Sequence, residues 1–203
     1  ITIPGKVESI GDYAFLNCTS LTSFNVASSN RFFSSENGVL FNKEKSELIV
    51  CGGGKSGDYS IPEGVTTIEN LGFSLCTSLT SVTIPESVTS IGFSAFFRCS
   101  SLESINIPDG VTTIGGHTFY QCSKLTSVTF GKNSQLNTIG MEAFKQCISL
   151  RSITIPDDVT SIGSLAFSEC TSLGIINFLR TRAPKFPRQQ GENQDAFLNI
   201  SNN

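Results

Sequence analysis

Charge is scarce in this chain. Of 203 residues only 15% are charged, the formal net charge is −3, and there is a single histidine. The weakly acidic balance argues against the non-specific nucleic-acid binding that a basic face brings. No apolar run approaches the roughly 18 residues of a membrane-crossing helix, so this chain is not expected to insert into a bilayer. The lone histidine, His117, stands at a variable polar position with no Ser/His/Asp or Cys/His set recurring beside it. It reads as a solvent-exposed residue rather than a general base. The chain opens on Ile1-Thr2-Ile3-Pro4, in mid-pattern. It therefore reads as a piece of a longer protein, and a missing leader says little about its address.

What is present in quantity is a repeat. Pro62, Pro85 and Pro108 each follow an isoleucine and lie 23 residues apart. One unit runs Ile84-Pro85, Val88, Ile91-Gly92, Phe96, Cys99, Leu102 and Ile105, and closes on Ile107-Pro108. The skeleton recurs with Phe15 and Cys18, Phe73 and Cys76, Phe119 and Cys122, Phe144 and Cys147, and Phe167 and Cys170. In Leu79-x-x-Val82-x-Ile84 the last two apolar residues are two apart, a strand period that turns Val82 and Ile84 inward and Ser81 and Thr83 outward. Proline then ends the strand, having no N–H for the ladder. The spacing of three in Phe-x-x-Cys-x-x-Leu suits a helical or 3₁₀ turn. A single unit cannot bury its own apolar side, but stacked units share one core. Strand rungs are expected near residues 1–3, 24–26, 59–61, 82–84, 105–107, 128–130, 153–155 and 176–178.

Departures from the pattern mark special places. Glu69 replaces the glycine found at 11, 92, 115, 140 and 163, so that position does not strictly need a left-handed backbone. The unit after Phe130 is two residues longer, around Gly131 to Ser134. Residues 27–60 form an enlarged unit, in which Gly38 to Phe41 and Leu48 to Cys51 flank a polar turn and read as a β-hairpin. Residues 179–203 are irregular or a partial repeat, with Arg180, Arg182, Lys185 and Arg188 forming a basic segment.

The seven cysteines are an odd number, and six of them share one repeat position. A ladder spreads thiols along an axis, whereas zinc needs them converging. They are expected to be reduced, buried packing residues. Cys51 stands outside the register and is the candidate reactive thiol, against the plainer reading of a hairpin residue. Gly52-Gly53-Gly54-Lys55-Ser56 ends like a phosphate loop, but Ile49 stands where a glycine is required and a strand follows instead of a helix. It reads as a flexible turn. Asn17-Cys18-Thr19 and Asn199-Ile200-Ser201 fit the glycosylation sequon. The first contains a cysteine expected in the core, which makes access poor.

The outward strand positions form two columns of small polar groups. They include Ser81 and Thr83, Ser104 and Asn106, Ser127 and Thr129, and Ser152 and Thr154. One reading is a concave docking strip of uncharged donors and acceptors. The other is a sheet surface kept soluble by small residues. No aromatic anchor stands among them, and anchors usually carry interface energy.

Val-Thr-Ser-Ile-Gly-x-x-x-Phe-Phe-x-Cys-Ser-Ser-Leu at 88–102, closed by Ile107-Pro108, resembles the BspA-like (Treponema-type) leucine-rich-repeat family. Ser35 to Lys43 of the insertion is also similar to that family. The resemblance covers residues 1–178 and implies a surface or secreted protein of a host-associated bacterium or parasitic protist, with adhesion to host matrix proteins or other cells. The expected fold is an α/β-type right-handed leucine-rich-repeat solenoid, one domain over 1–203. It has a parallel sheet on the concave face, short turns or 3₁₀ segments opposite, and one hairpin insertion. No enzyme activity, cofactor or metal is expected. The expected partner is a host or microbial surface protein or glycan, bound by a monomer. A stalk or spacer within a larger surface protein is the alternative.

Overall fold

A computed structural model describes residues 1–11 and 13–179. The basic segment, the second sequon and the expected partial repeat lie outside the described residues. The strands in chain order are β1 (Thr2–Ile3), β2 (Asn25–Val26), β3 (Phe33–Glu36), β4 (Val39–Asn42), β5 (Glu47–Cys51) and β6 (Ser56–Ser60). Then come β7 (Thr67–Ile68), β8 (Ser78–Thr83), β9 (Ser90–Ile91), β10 (Ser104–Ile107) and β11 (Thr113–Ile114). The remainder are β12 (Ser127–Phe130), β13 (Thr138–Ile139), β14 (Ser152–Ile155), β15 (Ser161–Ile162) and β16 (Ile175–Phe178).

The chain is a β-solenoid of stacked coils. Its main face is a column of parallel strands in three hydrogen-bonded groups, β1–β2, β6–β8–β10–β12 and β14–β16. All the expected rungs are there. A second column, β5–β7–β9 and β11–β13–β15, also pairs in parallel. It forms at the Val-Thr-Ser-Ile segments, which lie outside the expected rungs. The 23-residue period places like residue on like: Ser104 pairs with Ser127 and Asn106 with Thr129.

The arc from Phe to Leu differs from expectation. Among the described residues there is no helix and no 3₁₀ segment, so neither the α/β label nor the 3₁₀ turn applies. Each arc instead carries two left-handed residues that are not glycine, such as Ser94 (φ 54°) and Arg98 (φ 58°), or His117 and Gln121 (φ 57° each). Such a conformation costs roughly 1–2 kcal/mol per residue. Its return is a ladder between coils. The N–H groups of Ser94, Phe96 and Arg98 donate to the carbonyls of Gly116, Thr118 and Tyr120 at 3.1, 2.9 and 2.8 Å. The intervening Ala95, Phe97 and Cys99 donate within their own coil. A 3₁₀ turn would spend every N–H locally and leave neighbouring arcs unjoined.

The core is a set of like-on-like stacks. Phe73, Phe96, Phe119, Phe144 and Phe167 lie ring on ring with centroids 5.1–5.3 Å apart and interplanar angles of 4–10°. All five are fully buried.

The glycine after each Ile has a reason other than a left-handed backbone. None of these glycines has positive φ. A Cβ on Gly92 would lie 2.4 Å from Asn70 N, and one on Gly163 would lie 2.4 Å from Met141 N. At 92, 140 and 163 glycine is there because the preceding coil's backbone passes too close for a side chain, whereas a Cβ on Gly115 would come no nearer than 3.4 Å to Phe93 Cα. Gly11, in the first coil, meets nothing within 4 Å.

The insertion bonds sideways. β3 and β4 form an antiparallel pair, β4 continues antiparallel to β5, and β5 joins the second column beside β7. The expected hairpin is therefore β4–β5, with β3 added outside it. Asn30 pins the insertion to the first coil. Its buried amide donates to Pro4 O and Val7 O at 2.8 and 2.9 Å and accepts from Phe32 N and Phe33 N.

Coil 2 takes a short cut on the arc side. Twelve residues separate Leu48 from Ser60, against fifteen between their partners Ile68 and Thr83. It has no arc phenylalanine. Tyr59, the strand partner of Val82, tilts its ring over the exposed end of the stack at Phe73, 5.9 Å away. Phe15 is left outside the stack and meets Phe24 edge-on at 4.8 Å.

Two outcomes follow from this packing. Phe96→Ala should destabilise the protein by about 3–5 kcal/mol, because a rigid stack cannot collapse into the space. Equilibrium unfolding showing under about 1 kcal/mol would speak against the stack. Gly92→Ala should cost about 1–3 kcal/mol through overpacking, while Gly11→Ala should leave the melting temperature nearly unchanged. Equal losses at the two sites would refute the close-approach account.

Candidate functional site

The eight strip residues come together as the sequence places them. Thr83, Ser104, Asn106, Ser127, Thr129, Ser152 and Thr154 are exposed on the open face of the main sheet, and Ser81 is half-buried. Alternation on the parallel strands keeps them in two columns while Ile105, Val128 and Ile153 point into the core. The columns reach back to Asp58 and Ser60 through the pairs Asp58–Ser81 and Ser60–Thr83. Side chains bond across rungs: Thr129 Oγ1 donates to Asn106 Oδ1 at 2.9 Å, and Thr80 Oγ1 to Asp58 Oδ1 at 2.8 Å.

The face is not continuous. β12 and β14 lie in separate hydrogen-bonded groups, where the longer unit inserts Gly131 to Ser134. A cleft of about 670 Å³ opens there, lined by Ser127, Thr129, Ser152 and Thr154 with Lys132 and Asp157 at its edge. It gives half of the strip a depth that the flat rows lack.

The aromatic anchors absent from the sheet lie on the arc side. Phe97 and Tyr120 stack at 5.2 Å. Arg98 lies 5.3 Å from the Phe97 ring and Lys145 lies 5.9 Å from that of Tyr120. Phe93 is 49% exposed and Met141 50% exposed. The signal was in the sequence, in the residues after the core phenylalanines at 96 and 119, whose neighbours must face the other way. His117 is not simply solvent-exposed. It is half-buried, edge-on to Phe93 at 5.1 Å, with Nε2 3.2 Å from Glu142 Oε2 and a buried Nδ1 that has no partner.

The cysteines divide differently from expectation. All seven are free. Cys99, Cys122, Cys147 and Cys170 donate their Sγ–H groups to the carbonyls of Phe73, Phe96, Phe119 and Phe144 of the preceding coil, at 3.0–3.2 Å. Burial pushes the thiols of Cys99, Cys122 and Cys147 well above their ordinary range, and that of Cys170 up to about 12. Here cysteine is a small apolar residue whose weak donor is the second on a carbonyl that already accepts an N–H from its own coil. Cys51, the candidate reactive thiol, is buried at 2% exposure. Cys18 is exposed instead: in the first coil its Sγ has no preceding coil to meet among the described residues. Asn17 and Thr19 of the first sequon are exposed with it. Among the described residues no group of three or more His, Cys, Asp or Glu could hold a metal ion.

The triple glycine is a spacer. A Cβ on Gly52 would lie 2.1 Å from Leu21 O. One on Gly53 would lie between Thr19 Cα at 3.0 Å and Leu75 O at 3.3 Å. The chain threads between two coils there, with no room for side chains.

The BspA-type leucine-rich-repeat region matches residues 1–46 and 55–178, in six copies. The chain belongs to this family. Solved structures agree. It is similar to a leucine-rich repeat protein from Eubacterium ventriosum, with 28% identity, TM-score 0.72, and coverage of 95% of this chain and 62% of that one. It is similar to the pneumococcal vaccine antigen PcpA, with 27% identity, TM-score 0.73, and coverage of 89% and 45%. A leucine-rich cell surface protein from Faecalibacterium prausnitzii is 31% identical, with TM-score 0.57 over 90% of this chain and 39% of that one. The chain thus spans less than two thirds of the length of each of these three proteins. No curated protein matches it. No helix among the described residues is long and apolar enough to cross a membrane.

Under native conditions a thiol reagent should modify Cys18 first, while Cys99, Cys122 and Cys147 react only on unfolding. Mass mapping that finds Cys51 or the buried ladder labelled first would contradict this assignment.

Proposed function

We propose that this chain is the interaction module of a cell-surface or secreted bacterial protein. It binds a host or microbial surface protein or glycan through the main sheet face and so serves adhesion. The carrying observation is the exposed double column from Ser81 to Thr154, deepened by the cleft between β12 and β14. Small hydroxyl and amide groups can donate and accept without the cost of stripping water from a charge. The surface character of its relatives supports the address: one is a cell surface protein and another a vaccine antigen.

A spacer within a longer surface protein is the second reading. It is favoured by the lack of any aromatic on the columns between Ser81 and Thr154. Saturable binding of the isolated chain in a screen of matrix proteins and glycans separates the two, since a spacer has none. Once a ligand is found, Ser104→Arg with Thr129→Arg should weaken it about tenfold or more by covering the columns, with Phe93→Ser as the arc-side control. Unchanged affinity in the double variant, with loss at Phe93→Ser, would move the site to the arc side.

A further inference from the structure

Two of the thiols converge outside the cysteine ladder. Coil 2 has no arc phenylalanine, and Cys51 stands in that place. Its N–H donates to Gly72 O at 2.7 Å, as the N–H of Phe73 donates to Ala95 O at 2.7 Å one coil on. Its carbonyl lies 3.9 Å from Cys76 Sγ, where Phe73 O lies 3.0 Å from Cys99 Sγ. Cys76 Sγ is closer to the next carbonyl, 3.6 Å from Gly52 O. Cys51 Sγ lies 3.7 Å from that same oxygen. Both residues are buried, at 2% and 0% exposure.

The ladder thiols are arranged differently. Cys99, Cys122, Cys147 and Cys170 each have a separate carbonyl, every one on a different coil. They come from one repeat position and run parallel, which suits poorly the roughly 85–100° dihedral of a disulfide. Cys51 and Cys76 come from two different positions, the phenylalanine place and the cysteine place, and meet at one oxygen. A hydrogen bond with the Cys51 side chain, and then burial, hold the Cys76 thiol far above its ordinary range. Cys76 therefore keeps its proton, and Cys51 is the attacking sulfur of the pair. Cys51 also has a way to solvent. It lines a cavity of about 160 Å³ with Leu16, Leu71 and Leu75 among the other walls. Tyr13 and Leu16, both exposed, line it too, so it opens to the surface. About 10–15 Å³ of such space holds a water, so a small neutral solute can enter.

We propose that Cys51 and Cys76 are a redox-active pair, which hydrogen peroxide closes into a disulfide that fastens the shortened coil to the one after it. The Cys51 thiolate attacks one peroxide oxygen, the O–O bond breaks, and Cys51 becomes a sulfenic acid as hydroxide leaves. The Cys76 sulfur then attacks the Cys51 sulfur, and a second hydroxide leaves. The two hydroxides take up the protons of the two thiols. In sum two thiols are oxidised, one peroxide is reduced, and two waters form. The bond closes a ring from residue 51 to residue 76 and removes conformational freedom from the unfolded chain. An oxidising exterior is where such a bond persists. The pair needs no ligand on the sheet-face columns, so either reading can fail without the other.

The test uses the full chain carrying Cys18→Ser, which removes the one exposed thiol of seven and leaves six. Hydrogen peroxide in modest excess, added to the folded chain, should consume two of those six, and dithiothreitol should restore both. Trypsin cuts after Lys45, Lys55 and Arg98, so the product should appear as peptide 46–55 joined to peptide 56–98. The melting temperature should rise by about 5–15 °C on oxidation and return on reduction. Cys51→Ala and Cys76→Ala should each abolish the joined peptide, and Cys99→Ala should leave it. If an alanine variant fails to fold, the peptide map of the Cys18→Ser chain decides alone. The proposal is overturned if peroxide consumes thiols without giving the joined peptide, or if dithiothreitol does not restore them. It is also overturned if the ladder cysteines pair as often as Cys51 with Cys76, or if the linked form melts no higher than the reduced one.

Discussion

The fixed distance between coils governs this molecule. Rungs of a sheet sit roughly 4.8 Å apart, and every side chain must live at nearly that spacing from its copy in the next coil. Phenylalanine meets the demand as a flat ring, hence the 5.1–5.3 Å stack. Glycine meets it at 92, 140 and 163 by having no side chain at all, and cysteine by giving a weak donor to the carbonyl one coil back. The left-handed arc residues belong to the same account. They are unfavourable singly, but they turn alternate peptide groups along the axis and tie the arcs together.

Where the spacing is broken, several oddities share one cause. The arc of coil 2 is three residues short of its neighbour's. Phe73 therefore has no phenylalanine beneath it, and Tyr59 covers it with a hydroxyl that burial leaves unpartnered and pushes far above the usual phenol range. Glu69 can replace glycine, though burial raises its carboxyl above the ordinary range. Cys51 N takes Gly72 O in place of an arc phenylalanine, and Asn70 O and Ser74 O accept from no described residue. The glycines at 52–54 let the shortened chain slip between its neighbours.

The two broad faces offer different chemistry. The sheet presents hydroxyls and amides and is broken twice, between β2 and β6 and at the cleft beside Lys132 and Asp157. The arc side presents Phe93, Phe97, Tyr120 and Met141 among Arg98, His117, Glu142 and Lys145. Aromatic and arginine side chains dominate the energy of most protein interfaces, so the side opposite the polar columns is the stronger rival to them as a contact surface.

The sequence by itself determined the repeat, the strand rungs, the inward Phe, Leu and Ile, and the outward polar columns, because strand alternation and a 23-residue period are local and recur. It was equally enough to show the hairpin and, with Ile49 where a glycine is required, to set aside the phosphate-loop reading. Only the tertiary structure decided the rest. Spacing of three cannot distinguish a 3₁₀ turn from an arc with two left-handed residues, since the difference lies in which coil each N–H reaches. Cys18 and Cys170 stand at the same repeat position, yet one is exposed and the other buried, because exposure depends on the neighbouring coil rather than on the residue's own. The free carbonyls of Asn70 and Ser74 are invisible along the chain for the same reason. Leu16 and Leu71 line one cavity only because the coil between them turns back early.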